Sequence, residues 1–209
     1  MKFKEYVDQV LKTESNDFVK IGERTSLPRN IRLMHTAVGI MTEISELFEM
    51  EAKPELDLTN LMEECSDALW YIGVGVDELG LDRDAFFQKC QELKRKDVAF
   101  PKKSLLSKKV LIRDVLSKSQ ISSSKLLDLL KKSIFYGREI DLAQFENTMA
   151  EVMSEMILLL ESFGYSVEES MDINIDKLQK KRFKAGKFTE QEAIVRNLDE
   201  ERKTLEKKD

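Results

Sequence analysis

Apolar positions recur at intervals of three and four along nearly the whole 209-residue chain, and no stretch alternates apolar with polar between hairpin turn signals. The pattern predicts an all-α fold: a helical bundle without a β-sheet. Phe3–Lys12 reads as a short opening helix, and the polar stretch Thr13–Arg29, with its Ser, Asn, Gly and Pro28, as a loop. From Ile31 to Glu51, Leu33, Ala37, Ile40, Met41, Ile44, Leu47 and Phe48 fall on one stripe, which Pro54 terminates. A further helix is expected from Thr59, taken as its N-cap, to Leu79, with Gly80 as its stop, and Asp82 caps the next. Ala99-Phe100-Pro101 breaks the pattern, and Lys102–Lys109 reads as a connection. Shifted by 84 residues, Glu139-Ile140-Asp141-Leu142 falls over Glu55-Leu56-Asp57-Leu58, and Phe163-Gly164 over Leu79-Gly80. This predicts a duplication, although any two antiparallel helical hairpins share part of such a pattern. The expected division is residues 1–100, 101–188 and 189–209. The last piece is a charged helix, Thr189–Lys207, capped by Thr189 and lying on a surface.

Composition narrows the class. With 42% apolar residues, 35% charged, 8 Gly and 3 Pro, the chain is neither collagen-like nor disordered. A net charge of -5, with basic and acidic residues interleaved, offers no stripe that would track a phosphate backbone, so nucleic acid is not an expected partner. No apolar run reaches the roughly 18–20 residues of a membrane span, Met153–Leu160 being short and flanked by Glu. Cys65 and Cys90 sit inside helical patterns, which points to packing in a reducing compartment, and the expected location is the cytoplasm. Met149, Met153 and Met156 read as core; so do Trp70 and Tyr71, with stacking on a base as their alternative, and His35 reads as a packed or capped residue. Neither GxxxxGK[ST] nor GxGxxG occurs, so this is not a P-loop protein.

The candidate chemistry is acidic. Glu43 and Glu46 are three apart on one predicted helix, and Glu64 and Asp67 three apart on the next, so each pair projects from one face. Glu64 lies about 60° from the centre of its helix's apolar stripe, which predicts partial burial. Helices packed by those stripes bring like charges together, at a cost of several kcal/mol unless a cation or a proton intervenes. A site of carboxylates alone suits Mg²⁺ or Mn²⁺, whose open positions take water and phosphates. Di-iron chemistry lacks its Glu-x-x-His pairs, because His35 is the sole histidine. The spacing alone favours a solvated acidic face with ordinary helix pairs.

Glu43-Ile44-Ser45-Glu46, followed by Glu63-Glu64-Cys65-Ser66-Asp67-Ala68-Leu69-Trp70-Tyr71, resembles the ExxE…EExxD signature of the MazG-like all-α NTP pyrophosphohydrolases. The approach from His35 to Glu43 is similar to that of small phage and bacterial members. Ile134-Phe135-Tyr136-Gly137-Arg138-Glu139 resembles the segment joining the acidic helices of single-unit members. Asn174-Ile175-Asp176-Lys177-Leu178, with Arg182-Phe183 and Lys187-Phe188 beyond it, resembles their closing helix and tail. The resemblance implies two MazG-like units, the first acidic and the second degenerate, since Leu127, Leu130, Thr148 and Glu151 align with the four acids. Conversely, Cys90 and Leu93 align with Asn174 and Lys177, so each half keeps what the other lacks, and a composite site is expected.

What the resemblance implies is Mg²⁺-dependent cleavage of the α–β phosphate bond of an NTP or dNTP, giving a monophosphate and pyrophosphate. Glu43, Glu46, Glu64 and Asp67 would be the catalytic metal ligands and Glu63 a candidate base. Asn174, Lys177 and Arg182 would meet the nucleotide, Lys as a point charge and Arg as a fork. A homodimer is the expected assembly. The alternative reading is a nucleotide-binding or regulatory helical protein with reduced catalysis.

Overall fold

The computed structural model describes residues 1–96, 104–183 and 185–206. Its helices are α1 (Phe3–Val10), α2 (Phe18–Thr25), α3 (Pro28–Ala52), α4 (Leu58–Glu78), α5 (Arg83–Leu93), α6 (Leu105–Tyr136), α7 (Leu142–Ser162), α8 (Val167–Lys177), α9 (Glu190–Ile194) and α10 (Leu198–Leu205), with a π turn over Leu178–Arg182. No strand occurs among the described residues, so the protein is all-α as the periodicity predicts. Nor is any described helix long and apolar enough to cross a membrane.

Several boundaries differ from the sequence reading, each for a local reason. Residues 13–29 are not one loop. Asp17 accepts a hydrogen bond from the Lys20 backbone and starts α2, and Pro28, at the first turn of α3, opens that helix because its missing N–H would be unpaired there anyway. The cap of α4 is Asp57, which accepts from the Asn60 N–H, and Thr59 lies within the helix. Ser104 caps α6, so Leu105–Lys109 forms its first turns rather than a connection. The break at Ala99-Phe100-Pro101 lies outside the described residues. The tail is two helices: α9 ends at Ile194, and Asn197 caps α10 through the Glu200 N–H.

α3, α4, α6 and α7 pack side by side, α3 against α4 and α6, and α7 against α4 and α6. Their stripes merge into one core, with Leu33, Ile40, Ile44 and Leu47 of α3, Leu61, Cys65 and Ala68 of α4, Ile112 and Leu116 of α6, and Met149 and Met156 of α7 fully or almost fully buried. Both cysteines are free and buried among apolar side chains, in the packing role expected of them.

The bounds of α4 and α5 recur at the 84-residue offset in α7 and α8, with Asp57 and Asp141 as matching caps and Gly80 and Gly164 as matching left-handed stops. The short third helices change sides. α5 packs against α7, and α8 packs against α4. Lys89 and Lys94 of α5 reach Glu146 and Glu161 of α7 at 2.6 Å, holding one crossing. The other crossing brings α8 onto the acidic face of α4.

Candidate active site

α3 and α4 approach closely where a glycine removes a side chain. A Cβ on Gly39 would fall 2.2 Å from the Tyr71 ring, so the ring lies directly on the α3 backbone. His35 stands edge-on to Trp70 and Tyr71, with centroids 5.9 and 5.3 Å away, and Trp70 is 38% exposed. These three rings line a cavity of about 620 Å³; Tyr71 also packs against the core as expected, whereas Trp70 does not.

The same cavity is lined by the acids, whose charges reach the Tyr71 hydroxyl. Glu43, Glu64 and Asp67 each offer an oxygen within 4.8 Å of the others. Glu43 is 8% exposed and Glu64 6%, so the predicted partial burial of Glu64 is nearly complete. Glu46 lies one turn beyond Glu43, is exposed, and lines the cavity rim outside that three-acid group. Burial, with the charges of Asp67 and Glu46 adding, pushes the Glu43 carboxyl up to about 7. Burial, then the charges of Glu46, Glu63 and Glu43, pushes Glu64 up to about 9. Burial is the larger cause of both shifts, and the neighbouring negative charges add to it.

The second half supplies the partial compensation. Lys177 is fully buried, and its Nζ donates to Glu63 at 3.0 Å and to both Asp67 oxygens at 2.9 and 2.8 Å. Asn174, also buried, donates to Asp67 Oδ1. Residues more than a hundred positions apart thus meet because α8 lies across α4. Lys177 serves here as the counter-charge of Asp67 and Glu63, not as a cation open to the cavity. Glu63, named from the sequence as a candidate base, is held by that ammonium.

Beyond Lys177 the helix widens into the π turn, in which the Phe183 N–H donates to the Leu178 carbonyl at 2.8 Å. The wider turn sends Leu178, Gln179 and Arg182 to the cavity together. Phe183 and Phe188, with centroids 5.5 Å apart, line its outer side.

Of the residues named from the sequence, Glu43, Glu46, Glu64, Asp67 and Arg182 line this one cavity, and Asn174 and Lys177 lie directly behind Asp67. Sequence reasoning missed Arg196, which also lines it from the tail and carried no signal beyond being one basic residue in a charged segment. The all-carboxylate donor set and the raised acids suit a hard divalent cation. Asp67 retains acceptor capacity for one, since an ionised carboxylate has about four lone-pair sites and the second half's donors take three. Comparisons with protein-family models, with curated proteins and with solved structures found no match for the chain.

Proposed function

We propose that the protein is a Mg²⁺-dependent nucleoside triphosphate pyrophosphohydrolase, acting on an NTP or dNTP to give the monophosphate and pyrophosphate. The observation that carries this reading is the lining of a single cavity, which brings together a buried acid cluster, two arginines and an aromatic set. A metal–polyphosphate with an aromatic base presents the complementary set of groups. The volume, about 620 Å³, falls within the range typical of small-molecule sites. The resemblance of the Glu43–Glu46 and Glu63–Tyr71 segments to the MazG-like signature supports the same reaction.

Glu43, Glu64 and Asp67 would hold the cation. When bound it supplies charge neutralisation at phosphate oxygens and acidifies water. Lys177 and Asn174 fix the Asp67 carboxylate, so that this ligand is oriented before substrate arrives. Glu46, on the rim and outside the three-acid group, takes the proton of the water that attacks the α-phosphorus, a role Glu63 cannot readily fill while bonded to Lys177. Trp70 and Tyr71 stack or edge-pack the base, and Arg182 meets phosphate oxygens.

The test is pyrophosphate release from a panel of canonical and modified NTPs and dNTPs, with and without Mg²⁺, using Glu64→Gln as the control. Mg²⁺-dependent release that the substitution abolishes is the expected result. Binding of nucleotides without release from any of them would replace this reading with a regulatory nucleotide-binding protein.

A further inference from the structure

The charged tail makes an unexpected structure at the cavity wall. Glu201 of α10 is 1% exposed, although it belongs to a segment dominated by charge. Its Oε2 accepts from Arg182 Nη2 at 2.6 Å and from Arg196 Nη2 at 2.8 Å, and the Arg182 Nε lies 3.2 Å away. One carboxylate therefore bridges two guanidiniums, and the trio keeps a net positive charge. Both arginines line the acidic cavity, and both also face an open charged groove of about 1130 Å³ on its far side.

Two backbone irregularities create this arrangement. In an unbroken helix over 190–205, residues 196 and 201 would be separated by about 140° around the axis and could not meet. The break at 195–197 turns Arg196 back onto Glu201, and the π turn brings Arg182 to the same carboxylate. The tail is also anchored. Leu205 is buried, and Arg202 clasps Asp57, the cap of α4, at 2.7 and 3.0 Å. Burial works against charge on Glu201, but the two guanidiniums outweigh it and hold the carboxyl below its ordinary range.

We propose that Arg182 and Arg196, held in register by Glu201, bind the distal phosphates of the substrate, so that the segment from Thr189 to Leu205 belongs to the substrate site. The inference rests on the pyrophosphohydrolase reading and adds a binding residue, Arg196, and a positioning residue, Glu201. The charges are complementary. The acids need a cation, and the phosphates that such a cation leaves partly unneutralised need donors on the facing wall. Glu201 engages each guanidinium through its Nε–Nη2 edge and so leaves the Nη1 side, already ordered, for phosphate oxygens.

The experiment titrates the full-length chain with inorganic pyrophosphate in Mg²⁺ by calorimetry, and separately with Mg²⁺ alone, for wild type and the Arg196→Ala, Arg196→Lys, Glu201→Gln and Lys203→Ala variants. Arg196→Ala is expected to weaken pyrophosphate binding about 10- to 100-fold while the response to Mg²⁺ alone stays unchanged. Arg196→Lys restores part of the loss, as charge without the fork. Lys203→Ala, an exposed neighbour on the same helix, changes neither. Glu201→Gln is expected to weaken pyrophosphate binding even though it makes the wall more positive, a result that charge alone would not produce. Pyrophosphate affinity within about twofold of wild type in Arg196→Ala overturns the clamp. Tighter binding in Glu201→Gln overturns the positioning role and makes that carboxylate a competitor of the ligand. Arg196-dependent pyrophosphate binding without turnover of any nucleotide would sink the pyrophosphohydrolase reading and leave the clamp standing. Turnover with an unchanged KM in Arg196→Ala would do the reverse.

Discussion

Replacing Glu64 by glutamine should stabilise the metal-free protein above neutral pH, against the usual outcome of altering a buried residue. In the unfolded chain this carboxyl titrates near 4.5, whereas in the folded protein burial and the surrounding acids push it up to about 9. Between those values the native state holds a proton that the unfolded state has released. Raising the pH therefore favours unfolding: the stability is intact below about 4.5 and is lost as the pH climbs through the folded value. At about 1.4 kcal/mol per pH unit, three units above the unfolded value amounts to about 4 kcal/mol at about pH 7.5 as an upper bound. The glutamine side chain keeps the shape and can donate to Glu43, but the repulsion among Glu43, Glu46 and Asp67 persists. About 2 kcal/mol is then the expected gain at that pH, and nearly none at about pH 4.5. Urea unfolding of wild type and Glu64→Gln in EDTA, followed from about pH 4.5 to 9, measures the difference directly. Adding Mg²⁺ at about a hundred times its dissociation constant should raise wild-type stability by about 2.7 kcal/mol and leave the variant little changed. Parallel pH profiles for the two proteins, or a variant less stable than wild type at about pH 7.5, would refute the reasoning.

Lys177→Ala should cost about 3–5 kcal/mol, because Asp67 and Glu63 lose the buried ammonium that bridges them, and denaturant titration reads the loss. Gly39→Ala should displace the Tyr71 ring and cost about 1–3 kcal/mol, with a change in the emission of Trp70, the only tryptophan, whose ring centroid is 5.1 Å from that of Tyr71. Binding of a non-hydrolysable nucleoside triphosphate with Mg²⁺ should quench Trp70 emission, and Trp70→Ala should raise KM about tenfold with kcat nearly unchanged; unaltered emission at saturation would remove the aromatic wall from the site. Arg202→Ala should release α10 from the cap of α4, giving faster hydrogen exchange at Leu205 and Glu201 than in wild type, and equal exchange would show that the Asp57 pair does not hold the tail.

Much of this was legible along the chain because it is local. A stripe such as Leu33-Ala37-Ile40-Ile44 sets a helix and its buried face at once, and Asp82 and Gly80 mark ends through bonds that close within a few residues. Glu43 beside Glu46, and Glu64 beside Asp67, follow from the same helical period, as does the burial of Glu64. Local signals misled in two ways: residues 13–29 read as a loop, and the tail read as one unbroken helix. Asp17 needed only one backbone hydrogen bond to nucleate a helix that hydrophobic periodicity did not announce, and Asn197 the same to restart one after a break.

What the order of residues does not contain is which helix lies on which. Hydrophobic burial is non-directional, so a stripe specifies that a face is covered without specifying by what. The packing of α8 on α4, rather than on α7 alone, joins Lys177 and Asn174 to acids more than a hundred residues away and turns an open pair of carboxylate helices into a cavity with its own counter-charge. The same is true of Arg182, Arg196 and Glu201. Their types are plain in the sequence, but a widened turn and a broken helix, stabilised by contacts with the body, bring them to one point beside the acids.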